Sequence, residues 1–110
     1  MLGRLIGRVG RAVGFSPEGR PVRVWTHSRP GEEDAVVVRG TVAEITPRGA
    51  VVALAEPVEL DGGEVRQVLA VPSERSWGLH ALWFSFVAVE ASSLDGRPIG
   101  RWWLRLGGGS

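Results

Sequence analysis

The chain has 110 residues, no cysteine, 12 acids and 13 basic residues that are all arginine, for a net charge of +1. One domain of this length buries a core without staples. The missing thiols exclude disulfides, thiolate metal sites and a cysteine nucleophile, and they fit residence in the cytoplasm. The charge is uneven: Arg4, Arg8 and Arg11 give residues 1–14 a charge of +3, while ten arginines against twelve acids leave the remainder at −2. That balance argues against a strongly cationic nucleic-acid binder, which would carry a basic stripe over its body.

Residues 1–15 read as a basic amphipathic arm. Wound as a helix, Leu2, Leu5, Ile6, Val9, Ala12 and Val13 share one face and Arg4, Arg8 and Arg11 a second, with Gly3, Gly7, Gly10 and Gly14 on a third. Each glycine costs about 1 kcal/mol relative to alanine, so the arm needs a surface on which to fold. Three surfaces suit it: the protein's own body, another subunit, or a membrane interface whose anionic headgroups meet the arginines. The arginines interrupt every apolar run, which is unlike a signal peptide.

Phe15 to Pro21 is a turn cluster that ends the arm. Val22 to His27 then alternates as a half-buried strand, with Val22, Val24 and Thr26 on one side and Arg23, Trp25 and His27 on the other. Ser28 to Asp34, with Arg29, Glu32, Glu33 and Asp34, is a solvated loop. A long strand follows from about Ala35 to Ile45, and Gly40 is the place expected for a bulge. Thr46-Pro47-Arg48-Gly49 suits a type I turn and leads into a second strand through Leu54. Asp61-Gly62-Gly63 proposes another hairpin, between Pro57–Leu60 and Val65–Val71. The run from Leu79 to Val89 is apolar on both faces; it also fits a helix, but its aromatic and β-branched content favours a central strand buried on both sides. After the turn at Asp95-Gly96-Arg97-Pro98, Gly100 to Leu106 forms a last strand, and residues 107–110 are a flexible tail.

Chemistry-bearing clusters are few. His27 and His80 are far apart in sequence, no metal-ligand spacing is present, and no phosphate loop occurs. The chain therefore reads as a non-enzyme with no catalytic residue, metal, cofactor or small-molecule substrate. Arginine and tryptophan carry the functional expectation. On the last strand Arg101, Trp103 and Arg105 share the face opposite Trp102, Leu104 and Leu106, and Arg23, Trp25 and His27 repeat that pattern on the first. Such a face can stack bases and pair with phosphates. It equally anchors a subunit interface. A third reading is that the tryptophans are covered by their own arginine stems or by the arm.

Gly40-x-Val42-x-x-Ile45-x-x-x-Gly49-Ala50-x-Val52-x-Leu54 resembles the first hairpin of the S-one-type RNA-binding domain, an OB-fold. Ser73-Glu74, Val87-x-Val89, Asp95, Arg97 and Ile99 fall in the order which that family uses for its later strands. The resemblance implies a ligand groove lined by Arg48 and the neighbouring strand faces. The family's stacking aromatic before the glycine is replaced here by Arg48, and its histidine by Val71.

The expected architecture is an all-β domain over residues 16–106, a small barrel of five or six strands, OB-like or SH3-like, preceded by the amphipathic helical arm. Two functions follow. The first is a non-enzymatic assembly or scaffold protein, homo-oligomeric or bound to a protein partner, whose arm docks on a subunit or membrane surface through Leu2, Leu5, Ile6, Val9, Val13, Arg4, Arg8 and Arg11. The second is a single-stranded RNA or DNA binder. The partner face in either case is Arg23, Trp25, His27, Arg48, Arg101, Trp103 and Arg105.

Overall fold

Six stretches of alternating apolar residues become strands in the computed structural model, which describes residues 17–27, 29–33, 35–60, 63–73 and 78–107. They are β1 (Pro21–Trp25), β2 (Val37–Ile45), β3 (Ala50–Leu60), β4 (Gly63–Pro72), β5 (Val87–Ser92) and β6 (Pro98–Leu106). Each pairs antiparallel with its neighbours in the sequence, and β6 returns to β1, so the sheet is a closed barrel of six strands wound as a meander. Closure is confined to one end of the longest hairpin: β2 pairs with β3 only as far as Leu54 and β5 pairs with β4 only from Leu69, so the β3–β4 hairpin runs on past both neighbours. The expected arm and the Asp61-Gly62 turn lie outside the described residues.

The interior is built from small β-branched side chains. Val22, Val24, Val42, Val52, Val68, Val87 and Val89 are buried, with Ala50, Ala70 and Ala91 between them and Trp102 and Leu104 supplying bulk. This suits a narrow barrel, whose lumen is filled by side chains from every strand. No polar or charged residue is buried among those described. Among the described residues the core is therefore lined by apolar side chains alone.

The first hairpin forms where the turn residues place it. Thr46 and Gly49 exchange backbone hydrogen bonds of 2.8 and 3.2 Å, and the Thr46 hydroxyl accepts from the Arg48 and Gly49 amides at 3.2 Å. The need for glycine at 49 has a different origin from turn flexibility. A Cβ there would lie 2.3 Å from the Ala70 carbonyl oxygen, because β4 passes directly beneath.

The bulge expected at Gly40 occurs further along. Val42 opposes Val52 and Glu44 opposes Val51, which leaves Ala43 as the extra residue. The inserted residue turns Ile45 back toward the core, so Val42 and Ile45 both pack inward three positions apart. The displaced backbone is used: Gly19 donates to the Val42 carbonyl at 2.7 Å, Val42 donates to Arg20 at 3.0 Å, and the Ile45 amide donates to a Glu18 carboxylate oxygen at 2.9 Å. Gly40 keeps its glycine for close packing, since a Cβ would meet the Ala53 oxygen at 2.8 Å.

The expected central strand from Leu79 to Val89 is divided. Leu79–Trp83 is a short 3-10 helix, and only from Val87 does the chain join the sheet. Gly78, in the left-handed region at φ 61°, starts the helix. Leu82 is fully buried within the core, while Phe84 is 78% exposed. The run is thus apolar for two separate reasons, a plug against β5 and β6 followed by a strand. The first strand also ends at Trp25, before His27, and the last begins at Pro98.

Candidate functional site

Cross-strand register gathers residues that are far apart in the chain. β1 lies between β2 and β6, with Arg23 opposite Arg39 on one side and opposite Arg105 on the other. Two residues further along, Trp25 is opposite Val37 and Trp103. Directly opposed residues of antiparallel strands share a face, with Cβ atoms about 4.5–5.5 Å apart. The outer wall therefore carries a row of three arginines beside a row of Val37, Trp25 and Trp103.

The electrostatics of that row are unfavourable in the isolated chain. Like charges directly opposite one another destabilise a sheet. Among the described residues no carboxylate lies within ion-pair distance of Arg23, Arg39 or Arg105; the ion pairs seen are Arg66–Glu64 at 3.7 Å and Arg101–Glu90 at 3.4 Å. Aromatic rings hold two of the three. The Arg23 guanidinium sits 5.7 Å from the Trp25 ring centroid, and that of Arg105 sits 5.0 Å from the Phe86 centroid. A guanidinium resting on a ring uses its planar face and keeps its N–H edge for an anion. A shallow groove lined by Pro21, Arg23, Val37, Arg39, Gly40 and Gly107 runs beside the pair Arg23–Arg39.

The residues expected in the partner face separate into two groups. Arg23, Trp25, Trp103 and Arg105 come together on this wall. Trp25, however, is only 5% exposed: Phe86 meets it edge-on at 5.1 Å and Arg23 covers it. Trp25 points outward, as its alternation requires, but its ring is covered by its neighbours and is withheld from a stacking base. Trp103 is half-buried.

The other expected residues lie apart from the row. Arg101 donates from Nε and Nη2 to Glu90 at 3.4 Å, so its charge is compensated. His27 lies in a cleft at the barrel end with Glu59, Glu64 and Arg97, and its Nδ1 is 2.7 Å from the Thr26 hydroxyl. Arg48 sits over a different wall, beside Val51, Leu69 and Leu94.

Three participants were not legible as site residues. Arg39 follows a valine run, and nothing local reveals that it will oppose Arg23. Phe86 is hidden in a run that reads as one strand. Arg20, whose guanidinium lies 5.1 Å from the Trp83 centroid, ties the segment before β1 to the 3-10 helix. The alternation of β2 would have marked Arg39 as outward, but the register had to be known before it could join the row.

The remaining chemistry is sparse. No group of three or more histidine, aspartate or glutamate side chains is placed to hold a metal among the described residues. Asp95 is held below the usual carboxylate range, first by the Ser93 hydroxyl that donates to it. It is fully exposed in the β5–β6 turn. No described helix is long and apolar enough to cross a membrane. No protein-family model, curated protein or solved structure matches this chain.

Proposed function

We propose that this protein is a non-enzymatic assembly module of the cytoplasm that docks an anionic partner surface on the outer wall formed by β2, β1 and β6. One observation carries the reading: Arg39, Arg23 and Arg105 stand side by side across three strands, with no described carboxylate to compensate them. An anion bound across the row converts mutual repulsion into charge-assisted hydrogen bonds, which are roughly twice as strong as neutral ones. Arginine beside an aromatic ring is also the pairing that anchors protein interfaces. The arm over residues 1–15 keeps its expected part as a second docking element, on a subunit or a membrane.

A second reading is favoured by the half-buried ring of Trp103, which lies between Arg101 and Arg105 in the sequence and next to the arginine row. In that reading the wall binds single-stranded RNA or DNA, with phosphates on the row and a base on Trp103. The hairpin likeness to the S-one-type domain supports it. The meander winding is unlike the Greek key of an OB barrel, so this reading leans on the wall more than on the likeness.

Titration with polyglutamate and with polyuridylate at low and high salt tests both. The assembly reading expects polyglutamate to bind at low salt, to weaken as salt rises, and to be lost in Arg23→Glu/Arg39→Glu. Tight binding of polyuridylate with quenched tryptophan emission, and none of polyglutamate, moves the conclusion to nucleic acid. Binding of neither polymer at low salt removes the wall as a docking face.

A further inference from the structure

We infer that the anionic partner of this wall is a lipid bilayer with anionic headgroups, the Arg39–Arg23–Arg105 row meeting the headgroup phosphates and the Phe84 ring inserting beside it. The inference rests on the outer wall being a docking face, and it names what the wall docks on.

Charge is sorted along the chain in a way that the net value hides. β1, β6, residues 78–89 and β2 as far as Ala43 hold four arginines and no acid, which leaves six arginines against twelve acids for the other residues after 14. These segments are neighbours in space: β1 lies between β2 and β6, and the 3-10 helix packs on β6. The flanking acids are engaged elsewhere or lie beyond the strand ends. Glu18 accepts from the Ile45 amide, Glu90 faces Arg101, Glu44 follows the bulge, and Glu32 and Glu33 sit in the β1–β2 loop. One side of the barrel is therefore basic although the body as a whole is acidic.

Phe84 supplies the apolar half. At 78% exposed it is the barest large apolar side chain among the described residues. Its backbone is fixed, the Phe84 amide donating to the Ala81 carbonyl at 3.0 Å. The rings before and after it in the chain carry arginines: the Arg20 guanidinium lies 5.1 Å from the Trp83 centroid and that of Arg105 lies 5.0 Å from the Phe86 centroid. A bare ring between two ring-bound guanidiniums has the composition of a membrane interface, where aromatic rings sit at headgroup depth and arginines reach the phosphates. A single strand of nucleic acid fits less well, since it uses successive stacking rings and Trp25 is covered by Phe86 and Arg23. The arm over residues 1–15, with its apolar face beside Arg4, Arg8 and Arg11, suits the same bilayer.

Sedimentation of the full chain with vesicles gives the first readout. Binding is expected to vesicles of phosphatidylcholine mixed with phosphatidylserine, not to phosphatidylcholine alone, and is expected to weaken as salt rises. Two variants assign it to the wall. Arg23→Glu/Arg39→Glu should weaken the partition by at least about twentyfold, because one arginine near an anionic surface counts for about fivefold, and Phe84→Ala should weaken it by about tenfold. All three side chains are exposed, and circular dichroism confirms that the barrel persists. The chain has no cysteine, so Phe84→Cys accepts a single environment-sensitive dye whose emission should shift to the blue on vesicles. The same dye at Arg48→Cys, over another wall, should stay in water.

Absence of vesicle binding overturns the bilayer, and so does binding that both wall variants leave unchanged, which would belong to the arm. A dye at position 84 that stays in water overturns the insertion of Phe84. If vesicles fail but polyglutamate still binds in a manner abolished by Arg23→Glu/Arg39→Glu, the docking wall stands and its partner is a protein. If polyuridylate alone binds in that manner, the partner is a nucleic acid. If none of the three binds, the wall falls as well.

Discussion

The rings of Trp25 and Phe86 meet edge to face, with 5.1 Å between centroids and 81° between planes. β6 lies between β1, which ends at Trp25, and β5, which begins just after Phe86. The two rings therefore bridge a strand to which neither belongs. Such a pair contributes about 0.5–1.5 kcal/mol beyond the area it covers. Phe86→Leu, which keeps apolar cover but loses the ring, is expected to destabilise the barrel by about 1 kcal/mol in urea unfolding. In fluorotryptophan-labelled protein the Trp25 resonance, assigned with Trp25→Phe, should move toward its solvent-exposed position in Phe86→Ala. An unmoved resonance would show that Phe86 is not what covers Trp25.

Gly49 tests the packing of the first hairpin against β4. Alanine there would place its Cβ 2.3 Å from the Ala70 oxygen, whereas Gly40→Ala would place one 2.8 Å from the Ala53 oxygen. Both contacts are with backbone, which cannot swing aside, and overpacking of this kind costs about 1–3 kcal/mol or more. Gly49→Ala is expected at or above the top of that range and Gly40→Ala below it, by denaturant midpoint. The reverse ranking would contradict the close approach of β4.

Leu82 is the one fully buried side chain of the 3-10 helix. Leu82→Ala should cost about 2–5 kcal/mol, as for other buried leucines. The loss should appear as faster hydrogen exchange in β5 and β6, on which the helix packs, while the β2–β3 amides change little. Uniform acceleration through all six strands would mean that the helix supports the whole barrel and not one side of it.

Asp95 gives a pH prediction whose sign follows from its lowered pKa. A carboxylate held below its ordinary 3.8 contributes stability that is in place above that value and is lost as pH falls through the lowered one. In Ser93→Ala the main cause is gone, so a carboxyl-detected NMR titration should find the Asp95 pKa raised toward its ordinary value. The variant should be less stable than the wild type at neutral pH, with the difference vanishing at strongly acid pH. An unchanged pKa would show that the backbone around Arg97, and not the hydroxyl, sets it.

How much of this was legible depended on whether the signal was local. Pro47 and Gly49 announced a hairpin that formed as expected, and the alternation of Val22, Val24, Trp102 and Leu104 marked their inward faces correctly. The 3-10 helix was illegible because a plug and a buried strand both demand apolar residues, and Leu79 to Val89 contains one after the other. The arginine row was illegible for another reason: Arg23, Arg39 and Arg105 are brought together by register across three strands, a property of pairs and not of residues. Trp25 shows the same limit, since alternation fixes the direction of a side chain but not whether Phe86 will lie on it.

The closed wall also has a weak line. Every strand pairs with its neighbour in sequence except at β1 and β6, which are joined only after the whole chain has come round; Gly107 donates to the Pro21 carbonyl at 2.9 Å at one end of that seam. Arg23 stands on one side of the seam and Arg105 directly across on the other. An anion bridging Arg23 and Arg105 would therefore tie together the two strands that are farthest apart in the chain. Occupancy should be readable as slowed amide exchange along β1 and β6, and emptying the row as a barrel that unzips there first.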